Sequence, residues 1–223
     1  MLLIPIKLPI CYAFLLKGER PVLVDTGRPR DCAAIEKAMA QHDVAPADLS
    51  LILHTHGHWD HAGSTAELRS RTAARIAVHV ADAPMMRQGD NGILRPTCLT
   101  ARVCKPILNW PYPGVEPDLL IDREIDLAEF GVSARVVLTP GHTAGSLSVI
   151  TDDGDALVGD LFMGGYLGGT LGPRWPSLHY FADDLDEVRA SIGKLLGLSP
   201  RRFYPAHGGP LEPVDVAHWL ESR

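Results

Sequence analysis

Residues 51–63 read Leu51-Ile-Leu-His54-Thr-His56-Gly-His58-Trp-Asp60-His61-Ala-Gly63. An apolar run ends there in three histidines and an aspartate spaced H-x-H-x-D-H. With ten histidines and eighteen aspartates in 223 residues, composition alone produces this spacing in roughly one such sequence in 600. The bland alternative is a set of surface histidines on a loop. The chemistry favours metal: neutral imidazole and carboxylate suit zinc, iron, manganese or cobalt, and the set has no thiolate. In extended backbone His56 and His58 point the same way and can share one ion. Asp60 and His61, at the turn that follows, can be aimed at a second. Three further residues each end an apolar run beside glycine: His142 in a Pro-Gly turn, Asp160 after Ala156–Gly159, and His207 before Gly208-Gly209. Each alone reads as a turn or cap residue, but together with the cluster they complete a ligand set on loops carried by a rigid scaffold. His54 reads as a strand residue outside the set.

These residues need elements to hold them. Apolar runs expected to form buried strands are Leu2–Leu8, Tyr12–Leu16, Val22–Asp25, Leu51–His54, Ile76–Val80, Val132–Leu138, Leu147–Thr151, Ala156–Gly159 and Arg202–Pro205. Gly18 and Asp153-Gly154 mark hairpin turns. Helical spacing covers Asp31–His42, Asp183–Leu196 and Val214–Glu221, and Asp183-Asp184 with Glu187 resembles a capping arrangement. Early hairpins mixed with helices predict a layered α/β fold with mixed sheets. Two stretches, Met86–Pro117 and Phe162–Phe181, carry no assignable element. Their length and aromatics predict lids over a site, with Trp110, Tyr112, Phe162, Trp175, Tyr180 and Phe181 as an apolar pocket wall.

Composition narrows the class. The length predicts one domain over 1–223. Apolar residues make up 46% and charged residues 22%, which excludes a disordered chain. A net charge of −6 makes nucleic acid a poor partner. No apolar run reaches the ~18–20 residues of a membrane span, and the first ten residues lack the features of a signal peptide. The four cysteines show no C-x-x-C spacing, so reduced thiols and a cytoplasmic location are expected. The partner is a small-molecule substrate, and self-association is left open.

The segment His56-Gly-His58-Trp-Asp60-His61, the turn Pro140-Gly-His142-Thr143, the strand end Gly159-Asp160, the loop Ala206-His207-Gly208 and Val24-Asp25-Thr26-Gly27 together resemble the metallo-β-lactamase superfamily, in its order and over residues 25–207. The resemblance implies a four-layer αβ/βα sandwich with two mixed β-sheets and a dinuclear zinc site, with iron or manganese as alternatives. It implies that His56, His58 and His142 hold one ion, that Asp60, His61 and His207 hold the other, and that Asp160 bridges them. Asp25 resembles the family's acid behind the ligands, against a turn reading. The implied activity is hydrolysis of a small ester, thioester or lactone by a bridging hydroxide, with Asp60 orienting it and carrying a proton. Asp160 resembles glyoxalase II and the lactonases. Only 16 residues follow His207, so the glutathione-binding C-terminal domain of glyoxalase II is not expected. Tyr166 is a candidate oxyanion donor, against packing in a lid, and Arg95 or Arg174 could pair with a substrate carboxylate. Persulfide dioxygenases share the motif set and would use one iron on His56, His142 and Asp160. A binding module that kept its metals is disfavoured by the completeness of the ligand set.

Overall fold

The computed structural model describes residues 1–222. Strands β1 (Leu2–Lys7), β2 (Tyr12–Lys17), β3 (Val22–Val24), β4 (Leu51–Leu53), β5 (Arg75–His79) and β6 (Leu119–Ile121) form a sheet in that order. Its first three strands are antiparallel, and β3 to β6 are parallel. A second sheet contains β7 (Ile125–Asp126), β8 (Ala134–Leu138), β9 (Leu147–Thr151) and β10 (Asp155–Gly159), with β13 (Arg202–Pro205) parallel to β10 at its edge. Strands β11 (Met163–Tyr166) and β12 (Leu171–Ser177) make a separate hairpin.

Side-chain alternation along the strands builds the layers. Leu15, Leu23, Ile52 and Ile76 face one core, packed with Ile35 and Met39 of helix α1 (Cys32–Ala40) and Leu68 of α3 (Thr65–Arg69). Their neighbours Leu16, Val22, Val24, Leu51 and Leu53 face Val136, Val149 and Leu157 of the second sheet. That sheet's other face, with Val137, Ile150 and Val158, packs on Val188, Ile192 and Leu195 of α6 (Leu185–Gly197) and Val216 of α7 (Pro213–Glu221). The result is helix, sheet, sheet, helix, the four layers expected. Asp184 caps α6, accepting from the amides of Asp186 and Glu187 at 2.8 and 3.0 Å. The cysteines are unpaired; Cys11 and Cys32 are buried and Cys98 is exposed.

The two unassigned stretches contain regular structure. Helices α4 (Ala83–Gln88) and α5 (Leu99–Leu108) lie in or next to the first, and the β11–β12 hairpin lies in the second. Pro106 within α5 and the glycines of the hairpin mask both patterns. The aromatic wall needs correction. Phe162 is core, edge-on to Phe203. Tyr112 is buried, and its hydroxyl donates to the Gly57 carbonyl. Trp110 and Trp175 are exposed. No helix among the described residues is long and apolar enough to cross a membrane.

Candidate metal centre

Every candidate side chain leaves the C-terminal end of a strand, the end where open α/β sheets place their ligands. Asp25 follows β3, and His54 to His61 follow β4, with His61 in the short helix α2 (Trp59–Ala62). His142 lies in the β8–β9 turn, Asp160 follows β10, and His207 follows β13. The His142 turn is seated on the start of α6: the amides of Asp183 and Asp184 donate to the carbonyls of His142 and Gly141 at 3.1 and 3.0 Å.

The residues converge in two groups. One potential ligand atom from each of His56, His58 and His142 lies within 4.8 Å of the others, and the same holds for Asp60, His61, Asp160 and His207. Asp160 joins the groups. Its Oδ2 is 3.7 Å from Nε2 of both His56 and His142 and 3.3 Å from Nε2 of His61, while Oδ1 is 3.3 Å from Nε2 of His207.

Buried polar atoms normally have partners. Here Nε2 of His56, His61 and His207 and Oδ1 of Asp160 are buried without a hydrogen bond of acceptable geometry. Short mutual distances without hydrogen-bond alignment are what ligand atoms show around a cation. The donor set fits zinc or another borderline divalent metal.

The protonation states of the first group agree. Burial pushes His56 and His142 well below the ordinary imidazole range and His58 down to about 4, which keeps them neutral with lone pairs available. Burial works against the carboxylate of Asp160, but His179, His207 and His61 outweigh it and hold this group well down. His61 and His207 are pushed down by burial and pulled further up by Asp160, with Asp25 adding at His61 and Asp60 at His207. The site is thus an anionic hub among imidazoles.

Supporting contacts fix the rings of these candidate ligands. Asp25 accepts from His61 Nδ1 at 2.9 Å, and from the amide and hydroxyl of Thr55 at 2.8 Å each. This is the orienting role implied for it, since a ligating histidine commits its second nitrogen to a carboxylate or carbonyl. His207 Nδ1 and His142 Nδ1 lie 2.7 and 2.8 Å from the carbonyls of Ile10 and Phe181. His54 stays outside both groups, with Nε2 3.1 Å from Thr65 Oγ1.

Two residues were not anticipated. His179 places Nε2 3.3 Å from Asp160 Oδ2. Asp82, 1% exposed, clamps both histidine loops by accepting from the Gly57 amide at 3.0 Å, the Thr143 hydroxyl at 2.8 Å and the Gly145 amide at 3.0 Å. The approach requires glycine at 145, where a Cβ would lie 2.3 Å from Asp82 Oδ1. Burial pushes the Asp82 carboxyl up to about 6, so it is ionised at neutral pH. Asp82→Ala orphans three donors at about 1–3 kcal/mol each. Taking about 3 kcal/mol in all, a thermal melt should fall by about 6–12 °C.

Tyr166 is half-exposed on β11, opposite Leu171, and does not line the cavity over the centre. Tyr180 does line it, and its hydroxyl accepts from the Leu167 amide at 2.8 Å. Arg174 lines a separate surface hollow with Arg202 and Glu212. Arg95 lies in a neighbouring hollow, 3.5 Å from Asp183.

Comparison with known proteins agrees with this geometry. The family model of the metallo-β-lactamase superfamily matches residues 7–207. The chain is 28% identical over 201 residues to the probable metallo-hydrolase YflN of Bacillus subtilis, covering 85% of this chain and 76% of that protein. It is 31% identical over 156 residues to a hydroxyacylglutathione hydrolase of Anaeromyxobacter dehalogenans, covering 69% and 47%. Several other curated relatives are longer, and the match spans 48–61% of their length. In three dimensions it resembles the Rm3 metallo-β-lactamase with a TM-score of 0.69 at 24% identity, covering 92% of this chain and 74% of that one. Fold, ligand geometry and family match therefore agree: the chain belongs to the metallo-β-lactamase superfamily of metal-dependent hydrolases.

Proposed function

We propose that this chain is a dinuclear zinc-dependent hydrolase of small, uncharged acyl substrates: an ester, a thioester or a lactone. The observation that carries this reading is the pair of candidate ligand groups joined through Asp160, with unpartnered buried imidazole nitrogens beside it. His56, His58 and His142 would hold one ion, Asp60, His61 and His207 the other, and Asp160 would bridge. Zinc bound there supplies a Lewis acid that lowers the pKa of a water toward about 7.

The chain's own residues supply the rest. Asp60 lines the cavity, with Oδ2 3.5 Å from His207 Nε2. There it can take the proton of the attacking water and return it to the leaving group. The Tyr180 hydroxyl uses a lone pair on Leu167 and keeps its proton for a substrate oxygen.

Substrate class is read from the cavity, of about 270 Å³. Away from the ligand residues its wall is mainly apolar, including Ile10, Trp59, Leu94, Leu108, Met163 and Phe181. No lysine or arginine is among the described residues that line it. Away from the metal centre a carboxylated substrate would find no side-chain counter-charge in that wall, whereas an aliphatic acyl chain would be desolvated.

The test is elemental analysis joined to assays of metal-depleted and reconstituted protein on ester, thioester and lactone panels. Two zincs per chain and activity that returns with zinc are expected. Unchanged turnover after metal removal would end this reading, and one iron with oxygen uptake would replace it. Along a homologous series of acyl chains, kcat/KM should rise about fourfold per methylene until the cavity is filled. Carboxylated analogues of the same length should be turned over more slowly.

A further inference from the structure

His179 belongs to neither ligand group above, yet it has the geometry of a ligand. We infer that His179 is an additional cation ligand of this centre, acting with His142 and Asp160 from the cavity side; the inference rests on the metal-centre reading above. One potential ligand atom from each of His142, Asp160 and His179 lies within 4.8 Å of the others. The His179 ring is 4.6 Å from the His142 ring and 5.5 Å from the His207 ring, centroid to centroid. It therefore stands against both groups.

The second nitrogen supports the assignment. A ligating imidazole commits its other N–H to a carbonyl or carboxylate, which leaves the lone pair facing the ion. The Phe181 carbonyl that takes the Nδ1–H of His142 at 2.8 Å also lies 3.1 Å from Nδ1 of His179. One backbone oxygen thus aims two rings at Asp160. The segment carrying it is anchored: the Thr97 hydroxyl donates to the His179 carbonyl at 2.8 Å, the Thr97 amide donates to the Tyr180 carbonyl at 2.9 Å, and Phe181 bridges to Pro96. Nothing in the H-x-H-x-D-H spacing supplies this nitrogen; two distant segments meeting supply it.

Position gives the ligand its consequence. The side chain of His179 is 12% exposed and lines the cavity, whereas that of His142 is fully buried. A ligand on this face occupies the side from which a substrate oxygen must approach. Bound there, His179 would hold the cation more tightly at rest and would compete with substrate for that position. The competing arrangement uses the Phe181 amide, 3.3 Å from Nδ1. With Nδ1 as acceptor, Nε2 carries a proton and His179 is a hydrogen-bond donor instead.

Titration of the metal-depleted protein with Co2+ alone separates these cases, because the visible d–d absorption of cobalt reports ligand type and number. His179→Ala should weaken Co2+ binding by at least the 10–100-fold that loss of a mere supporting partner costs, and should change the spectrum. Added imidazole should restore the wild-type spectrum in this variant, since the vacated space opens to the cavity. His179→Gln, which keeps the bulk and an N–H, should show the same weakening and covers the case in which the alanine variant does not fold. Wild-type affinity and spectrum in both variants would overturn the assignment, and a fall in turnover alone would make His179 a donor. Failure of the wild-type protein to bind Co2+ would instead overturn the metal centre itself.

Discussion

Replacing Asp160 with alanine should empty the centre. Its two oxygens lie within 3.7 Å of Nε2 of His56, His61, His142, His179 and His207, and its side chain is 1% exposed. Among the ligand residues only Asp60 offers another negative charge. Removing a unit charge about 4 Å from a cation costs about 4 kcal/mol at an effective dielectric of 20, roughly 10³-fold in affinity for a singly charged ion and more for a divalent one. Gel-filtered Asp160→Ala protein should therefore contain less than one metal ion per chain by elemental analysis, and hydrolysis should fall with the metal. Asp160→Asn keeps the volume and removes the charge, so it should show the same loss with wild-type circular dichroism. Full metal content and near wild-type turnover in both variants would take Asp160 out of the centre.

Asp60→Asn should act mainly on kcat. His61, in the same turn of α2, is fully buried and held by Asp25, whereas Asp60 is 15% exposed and lines the substrate cavity. Burial works against its carboxylate, but His207 and His61 outweigh it and hold the carboxyl down near 2, so the resting group is ionised. The amide of asparagine fills the same space and cannot take a proton. Loss of a positioned general base costs about 10²–10⁴-fold. The expected result is a fall in kcat of that size with KM for an acyl substrate little changed. Parallel metal analysis separates this from lost affinity, since Asp60 is also a ligand candidate. Wild-type kcat in a fully loaded variant would place proton transfer elsewhere.

Asp82 and Asp25 show how ligand loops are held from behind. Asp25 has φ of 62°, a left-handed conformation that aspartate tolerates better than most residues. That turn brings its carboxylate back under Thr55 and His61. Asp82 does the same for the two loops that carry His56, His58 and His142. A buried carboxylate with several donors is costly to leave half-paired, which makes both clamps rigid.

Much of this protein was legible in its residues. Apolar runs between turn residues marked most of the strands from local pattern, whereas the four-layer arrangement came from the family resemblance. The convergence of the seven candidate residues was also legible, because they follow the ends of apolar runs, and strand ends in such a fold share one edge. Other features depended on which distant segments meet. His179 comes to Asp160 only because the stretch after β12 is pinned to Thr97, and no periodicity encodes that pairing. Asp82 reads as an ordinary turn residue until Gly57 and Gly145 close around it. Tyr166 lies six residues past Asp160, but its pairing with Leu171 leaves it half-exposed outside the cavity, while Phe162 turns into the core. Spacing along a chain constrains a side chain's direction only within one regular element; across loops, the packing of the whole fold decides what faces what.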